Sequence, residues 1–188
     1  MSILKLWKIC EKLRFFAKTF SKFYKNNFLH IILWNVEKIK TVALVAHDSR
    51  KKDLIEWLEF NWGTLSLSKL VCTGTTGRLV KDALQSKGVK FDITLLKSGP
   101  LGGDVELSAM IAERKIDILI FFWDPMEPQP HDVDVKALLR IATLYNIPTA
   151  MNRSTADFII SSPLFKSDYK PIVKNYSEYI NRKIKQEK

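Results

Sequence analysis

The stretch Ile116-Asp117-Ile118-Leu119-Ile120-Phe121-Phe122-Trp123 decides the fold. It is apolar at both parities except for Asp117, carries three isoleucines, and stops at Asp124-Pro125. A run this short with apolar side chains on both faces fits a strand buried on both sides, as in a parallel sheet covered by helices.

The neighbouring segments agree with that reading. Upstream lies a helical pattern through Leu107, Ala109, Met110 and Ile111. Downstream, Val135, Leu138, Leu139, Ala142 and Tyr145 recur at the three- and four-residue spacing of an apolar helix stripe. Further out, Val42 to Ala46, Leu70 to Cys72, Ile93 to Leu96 and Ile147 to Met151 read as short strands. Helical segments fall between them, one with Leu54, Ile55, Trp57 and Leu58, another with Leu79, Val80 and Ala83. A last helix starts at Ser154-Thr155-Ala156-Asp157, with Ser154 or Thr155 as its expected N-cap. This alternation predicts an α/β fold: a mainly parallel, doubly wound sheet flanked by helices, forming a single domain over residues 41–165.

Charge separates the two ends from this domain. The chain of 188 residues has a formal net charge of +10. Residues 1–40 carry nine basic and two acidic side chains (+7), and residues 166–188 carry seven and three (+4). The domain between them carries fourteen and fifteen, close to neutral. A nucleic-acid-binding domain built around a phosphate-backbone footprint is therefore not expected. Residues 1–40 alternate lysines with Leu6, Trp7, Leu13, Phe15, Phe16, Phe20, Phe23 and Tyr24, a basic amphipathic pattern. Two readings stand for this extension: packing on the domain or between subunits, and contact with a membrane surface. The first is preferred, because a short basic apolar stretch is weak grounds for the second. Residues 166–188 are expected to complete the domain or a subunit contact. No run approaches the ~18 apolar residues of a membrane span. The two cysteines, Cys10 and Cys72, form no disulfide framework and point to a reducing compartment.

In a parallel sheet, ligands bind beyond the carboxyl ends of the strands. The residues that follow each apolar run are His47-Asp48, Thr73-Gly74-Thr75-Thr76, Ser98-Gly99 with Asp104 further on, and Asp124 with the later His131. The Thr73 to Gly77 turn suits a phosphate: glycine permits close approach, hydroxyls donate, and the next helix presents its N-terminal N–H groups. Ser98 and Gly99 can complete such a cradle, and Lys51 can add a cation, although beside Arg50 and Lys52 it also reads as a solvated lysine. Asp104 reads both as a helix N-cap and as a general base in a glycine-lined pocket. His131, on a loop after Pro130, reads as an exposed histidine or as a carbonyl-polarising donor. Asp124 reads as a turn residue before Pro125 or as a carboxylate that orients a histidine, a role also open to Asp134 and Asp48. His47, Asp48, Asp124 and His131 have no recognised metal-ligand spacing, so no metal site is expected.

Taken together, these segments resemble the methylglyoxal synthase family. The resemblance lies in Val45-Ala46-His47-Asp48, Thr73-Gly74-Thr75-Thr76-Gly77, Ser98-Gly99-Pro100-Leu101-Gly102-Gly103-Asp104, Phe121-Phe122-Trp123-Asp124-Pro125, Pro130-His131-Asp132 and Asn146-Ile147-Pro148, from about Thr41 to Phe165. It implies a lyase in which Asp104 takes a proton from dihydroxyacetone phosphate, and the resulting enediolate loses phosphate to give methylglyoxal. It implies that His131 polarises the carbonyl and that His47 and Lys51 bind substrate. The phosphate would be held by Thr73, Gly74, Thr75, Thr76, Ser98 and Gly99, with Asp48, Asp124 and Asp134 in support. It implies no metal or organic cofactor, a cytoplasmic location and a homohexamer. Residues 1–40 have no counterpart in the family. An arginine that in the family reaches a neighbouring subunit's phosphate site is replaced here by Lys183, beside Arg182, and a lysine lacks the bidentate fork. The alternative class is a non-catalytic regulatory domain of the same fold that binds a phosphorylated metabolite.

Overall fold

A computed structural model describes residues 39–88, 90–127 and 132–181. The amphipathic pattern of residues 1–38, His131 and the Arg182-Lys183 pair lie outside the described residues.

Five parallel strands form one sheet: β1 (Thr41–Ala46), β2 (Lys69–Cys72), β3 (Asp92–Leu95), β4 (Ile118–Phe122) and β5 (Thr149–Ala150), in the order β3-β2-β1-β4-β5. The helices that position the site are α1 (Lys51–Leu65), α2 (Gly74–Gln85), α3 (Gly103–Ala112), α4 (Asp132–Leu144) and α5 (Arg153–Ser161). Short helices α6 (Pro163–Lys166) and α7 (Ser177–Ile180) follow, and 3-10 turns lie at Asp48–Arg50 and Gly99–Leu101.

Side-chain alternation along the central strand sorts the helices onto the two faces. Val42, Leu44 and Ala46 pack with Leu54, Trp57 and Leu58 of α1, Val80 and Leu84 of α2, and Ala156 of α5. Ala43 and Val45 pack on the other face, with Leu107 and Ile111 of α3 and Val135, Leu138 and Ala142 of α4. Each large aliphatic or aromatic side chain buried in this way contributes about 1.5–3 kcal/mol. A doubly wound sheet follows from β1 being apolar at every position from Val42 to Ala46.

Asp117, the polar exception in the deciding stretch, lies outside the ladder. Its carboxylate accepts from the N–H of Thr41 at 2.9 Å, and its own N–H donates to the Thr41 carbonyl at 2.9 Å. It clips the start of β1 to β4.

The strand expected over Ile147 to Met151 shrinks to two residues. Pro148 has no N–H to give the ladder, although its carbonyl accepts from Leu119 at 3.0 Å. The expected caps of α5 are also corrected. Asn152 is the N-cap, its Oδ1 accepting from the N–H and hydroxyl of Thr155 at 2.9 and 3.1 Å, so the helix begins before Ser154. Part of the C-terminal segment is tied to the domain, with Lys40 Nζ donating to the Tyr169 carbonyl at 3.4 Å and Asn146 Nδ2 to that of Ile172 at 3.0 Å. No helix among the described residues is long and apolar enough to cross a membrane.

Candidate active site

From β1 the sheet grows outward in both directions, so the loops after β1, β2 and β4 diverge at its carboxyl edge. A cleft of about 90 Å³ opens there. Its lining includes His47, Asp48 and Lys51 after β1, Thr73, Thr75 and Thr76 after β2, and Ser98, Gly99 and Asp104 after β3. Val45, Phe121 and Val135 form its apolar floor.

His47 ends β1. Its N–H donates to the Phe122 carbonyl at 3.2 Å, and its ring meets Phe121 edge-on at 5.2 Å. The ring is 5% exposed, and Nδ1 accepts from the main-chain N–H of Asp124 at 3.3 Å. Lys51, the first residue of α1, is not the solvated lysine that its basic neighbours suggested. Its side chain is 15% exposed, lines the cleft and is ion-paired with Asp48, which itself is 83% exposed.

Thr73 precedes α2 without spending its hydroxyl on a side-chain cap. Thr73, Thr75 and Thr76 line the cleft at the N-terminus of α2, whose positive dipole end suits an anion. The N–H of Gly74 is used structurally, donating to the Lys97 carbonyl at 3.0 Å. A β-carbon at Gly74 would come within 2.9 Å of the Ser98 nitrogen, so the turn and the Ser98 loop can approach only with glycine there.

Asp104 is 3% exposed and occupies the second position of α3. It is not the N-cap: that position belongs to Gly102, whose φ of +90° is left-handed. The Ser98 carbonyl accepts from the N–H groups of Leu101 and Gly103 at 2.9 and 3.0 Å, folding the loop so that Asp104 sits over the cleft. A helix N-terminus favours negative charge, which suits a carboxylate that accepts a proton.

Among the described residues, the carboxylate of Asp124 makes no hydrogen bond to a histidine side chain, although the charge of His47 acts on it. It accepts from the Ser49 hydroxyl at 2.7 Å and the Met126 N–H at 3.0 Å, with Arg50 at 3.7 Å. The Ser49 hydroxyl and the Met126 N–H, followed by the charge of Arg50, hold its pKa below the ordinary carboxylate range. Asp134 lies half-buried in the first turn of α4 and does not line the cleft. Among the described residues, no three His, Cys, Asp or Glu side chains cluster as metal ligands.

Two positioning side chains went unread in the sequence. Ser49 ties the turn after β1 to the loop after β4. Glu106, in the first turn of α3, reaches back to accept from the Lys97 N–H at 3.0 Å and pairs with its ammonium at 3.5 Å, fixing the residue before Ser98. An acidic residue in the first turn after a glycine-rich loop marks its position but not its main-chain partner.

Residues 64–151 match the MGS-like domain family. The chain is 54% identical to methylglyoxal synthase of Maridesulfovibrio salexigens over 157 residues, spanning 79% of this chain and all of that protein. It is 51% identical to methylglyoxal synthase of Coxiella burnetii over 144 residues, 77% of this chain and 97% of the relative. Among solved structures, methylglyoxal synthase from Elizabethkingia anophelis superposes with a TM-score of 0.73 at 48% identity, covering 79% of this chain and 95% of that one.

Proposed function

The chain belongs to the methylglyoxal synthase family, and we propose that it converts dihydroxyacetone phosphate to methylglyoxal and inorganic phosphate in the cleft beneath Asp104. It is an enzyme, a lyase; the finer class is a carbon–oxygen lyase acting on a phosphate ester. The observation that carries this reading is a buried carboxylate, Asp104, the one buried acidic side chain among the described residues, sharing a small cleft with three threonines and a lysine suited to a phosphate.

The steps follow from the groups present. The phosphoryl group binds at Thr73, Gly74, Thr75 and Thr76, with Ser98, Gly99 and Lys51 around it. Asp104 removes a proton from the hydroxymethyl carbon, and the C–H electron pair forms the enediolate. The enediolate's hydroxyl then gives its proton to the departing phosphate and becomes an aldehyde, the double bond shifts, and the C–O bond to phosphate breaks with its electron pair leaving on phosphate. The enolate that remains takes on its terminal carbon the proton held by Asp104, giving methylglyoxal and restoring the carboxylate. His131 is proposed as the donor to the substrate carbonyl. Asp48 acts by holding Lys51, and Asp124 by holding the loop after β4. Asp134 acts in support from α4.

The described cleft residues fall between Val45 and Val135, which supports residues 41–165 as the catalytic domain. Family membership supports assembly as a homohexamer and a place in the cytoplasm. A purely regulatory phosphate-binding domain leaves a buried carboxylate facing the cleft without a task. The test is incubation of the purified full chain with dihydroxyacetone phosphate, following methylglyoxal and phosphate together. Equal release of both is expected. Phosphate binding with no methylglyoxal would instead establish the regulatory reading.

A further inference from the structure

We propose that Glu106 is a positioning residue for the reaction: by holding the main-chain N–H of Lys97, it sets the gap between the threonine turn after β2 and Asp104. This rests on the proposed reaction for its effect on turnover, and on backbone contacts alone for its effect on structure.

The ladder between β2 and β3 ends where the Leu96 N–H donates to the Cys72 carbonyl at 2.8 Å. Lys97 is the first residue beyond that bond, and its main chain joins two parts of the cleft. Its carbonyl accepts from the N–H of Gly74 at 3.0 Å, at the start of α2. A β-carbon at Gly103, at the start of α3, would collide with that same carbonyl oxygen. A β-carbon at Gly74 would come within 3.3 Å of the Lys97 carbonyl carbon. A glycine on each helix thus lets both N-termini close on one carbonyl. Thr73 adjoins the first of these glycines and Asp104 the second, so Lys97 spaces the anion turn from the proton acceptor.

Glu106 fixes the same residue on its N–H side, where Oε2 accepts at 3.0 Å. The usual duty of an acid in a first helical turn is to cap its own helix. Here the Gly102 N–H, which such an acid would take, already donates to the Gly99 carbonyl at 2.9 Å. Glu106 instead reaches nine residues back, outside α3. Its own N–H donates to the Gly102 carbonyl at 3.0 Å, so the side chain starts from a fixed point. Its second contact, to the Lys97 ammonium at 3.5 Å, is a surface pair with the lysine side chain 65% exposed, and such pairs contribute little. The charge-assisted bond to the main chain is the stronger of the two.

The consequence is a coupling. With its N–H held, Lys97 keeps the turn and the carboxylate at one separation. Without that bond its main chain can rotate, and the Gly74 and Gly103 contacts shift together. The substrate spans both parts, from its phosphoryl group to the carbon that loses a proton. A small misplacement of the carboxylate therefore falls on the chemical step. Loss of Glu106 is felt in turnover more than in substrate binding.

The experiment uses the full chain and the variants E106A, E106Q and K97M. Hydrogen–deuterium exchange, read by mass spectrometry on overlapping peptides, follows the amides of Gly74, Lys97 and Gly103. In E106A all three are expected to exchange about tenfold faster than in wild type, the scale of one hydrogen bond. Kinetics with dihydroxyacetone phosphate should show kcat and kcat/KM falling equally, by about tenfold. E106Q keeps an acceptor for the Lys97 N–H, and K97M keeps the N–H itself, so each should stay within about threefold of wild type, as for loss of a surface ion pair. Faster exchange at Lys97 alone overturns the coupling. An unchanged kcat in E106A, a loss confined to KM, or an E106Q or K97M as impaired as E106A overturns the positioning role. Exchange requires no turnover, so a wild-type chain that fails to make methylglyoxal would sink the proposed reaction while the coupling is still decided.

Discussion

A β-carbon on Gly103 would stand 2.1 Å from the carbonyl oxygen of Lys97, closer than non-bonded carbon and oxygen can pack. The start of α3 and the end of the loop after β3 therefore touch backbone to backbone, and that contact sets Asp104 relative to Ser98 and Gly99. Gly103→Ala must push the two apart. The expected cost is about 1–3 kcal/mol of stability, as for overpacking. Turnover should fall on the order of 100-fold from misplacement of the carboxylate. Urea unfolding and steady-state kinetics measure the two effects, and an alanine variant with wild-type kcat would show that the contact does not position Asp104.

Asp104→Asn should fold normally and still bind inorganic phosphate, because the threonine turn is left untouched. Turnover should fall by about 10²–10⁴-fold, the usual contribution of a general base. Calorimetric phosphate titration alongside the methylglyoxal assay separates binding from chemistry. Near wild-type turnover would remove Asp104 from the base role.

Lys51→Ala removes a cation from the cleft but leaves Asp48 well exposed, so no buried charge is stranded. Stability should hardly change. Phosphate affinity should weaken by roughly 10- to 100-fold, the worth of a charge-assisted hydrogen bond. Unchanged affinity would return Lys51 to a structural ion pair.

Acid should reveal the Asp124 latch. Its folded pKa lies below the unfolded value, for the Ser49 and Met126 hydrogen bonds first. The stabilisation it gives is thus fully present above about pH 4 and is lost as pH falls through the folded value. Asp124→Asn resembles the protonated acid. Its urea midpoint should lie below wild type at pH 7, and the gap should close as pH falls below the folded value. A gap that persists at low pH would point to a cause other than ionisation.

Cys72 sits at the end of β2 with no exposure, and burial pushes its thiol up to about 12. The thiolate, the reactive form, is therefore scarce at neutral pH. Iodoacetamide at pH 8 should leave Cys72 unmodified in the native chain and alkylate it after unfolding, as peptide mass spectrometry would show. Rapid native labelling would mean that this strand opens.

What the sequence made legible follows the strength of the local signal. The apolar runs of β1, β2 and β4 marked three strands because those strands are buried on both faces. β3 is an edge strand with mixed exposure, and β5 is cut short by Pro148, so their limits drifted. Residue types at strand ends located the cleft, since topology alone brings those ends together. The roles of Ser49, Glu106 and the Asp124 peptide were not legible. Ser49 meets Asp124 across 75 residues, and Glu106 acts on a main-chain N–H that no side-chain pattern records. Asp104 and Ser154 or Thr155 misled as caps because their residue types are common at helix starts, whereas the cap positions belong to Gly102 and Asn152.

The first strand of the domain is also the middle of its sheet. Thr41 waits for Asp117, 76 residues later, before β1 gains its second neighbour. During synthesis at about 5–20 residues per second, that interval lasts on the order of 4–15 seconds. Throughout it, a strand apolar on both faces has one edge unmatched on a chain still leaving the ribosome. The central position that lets β1 gather loops from both sides into one cleft therefore makes it the segment most in need of shelter while the protein is being born.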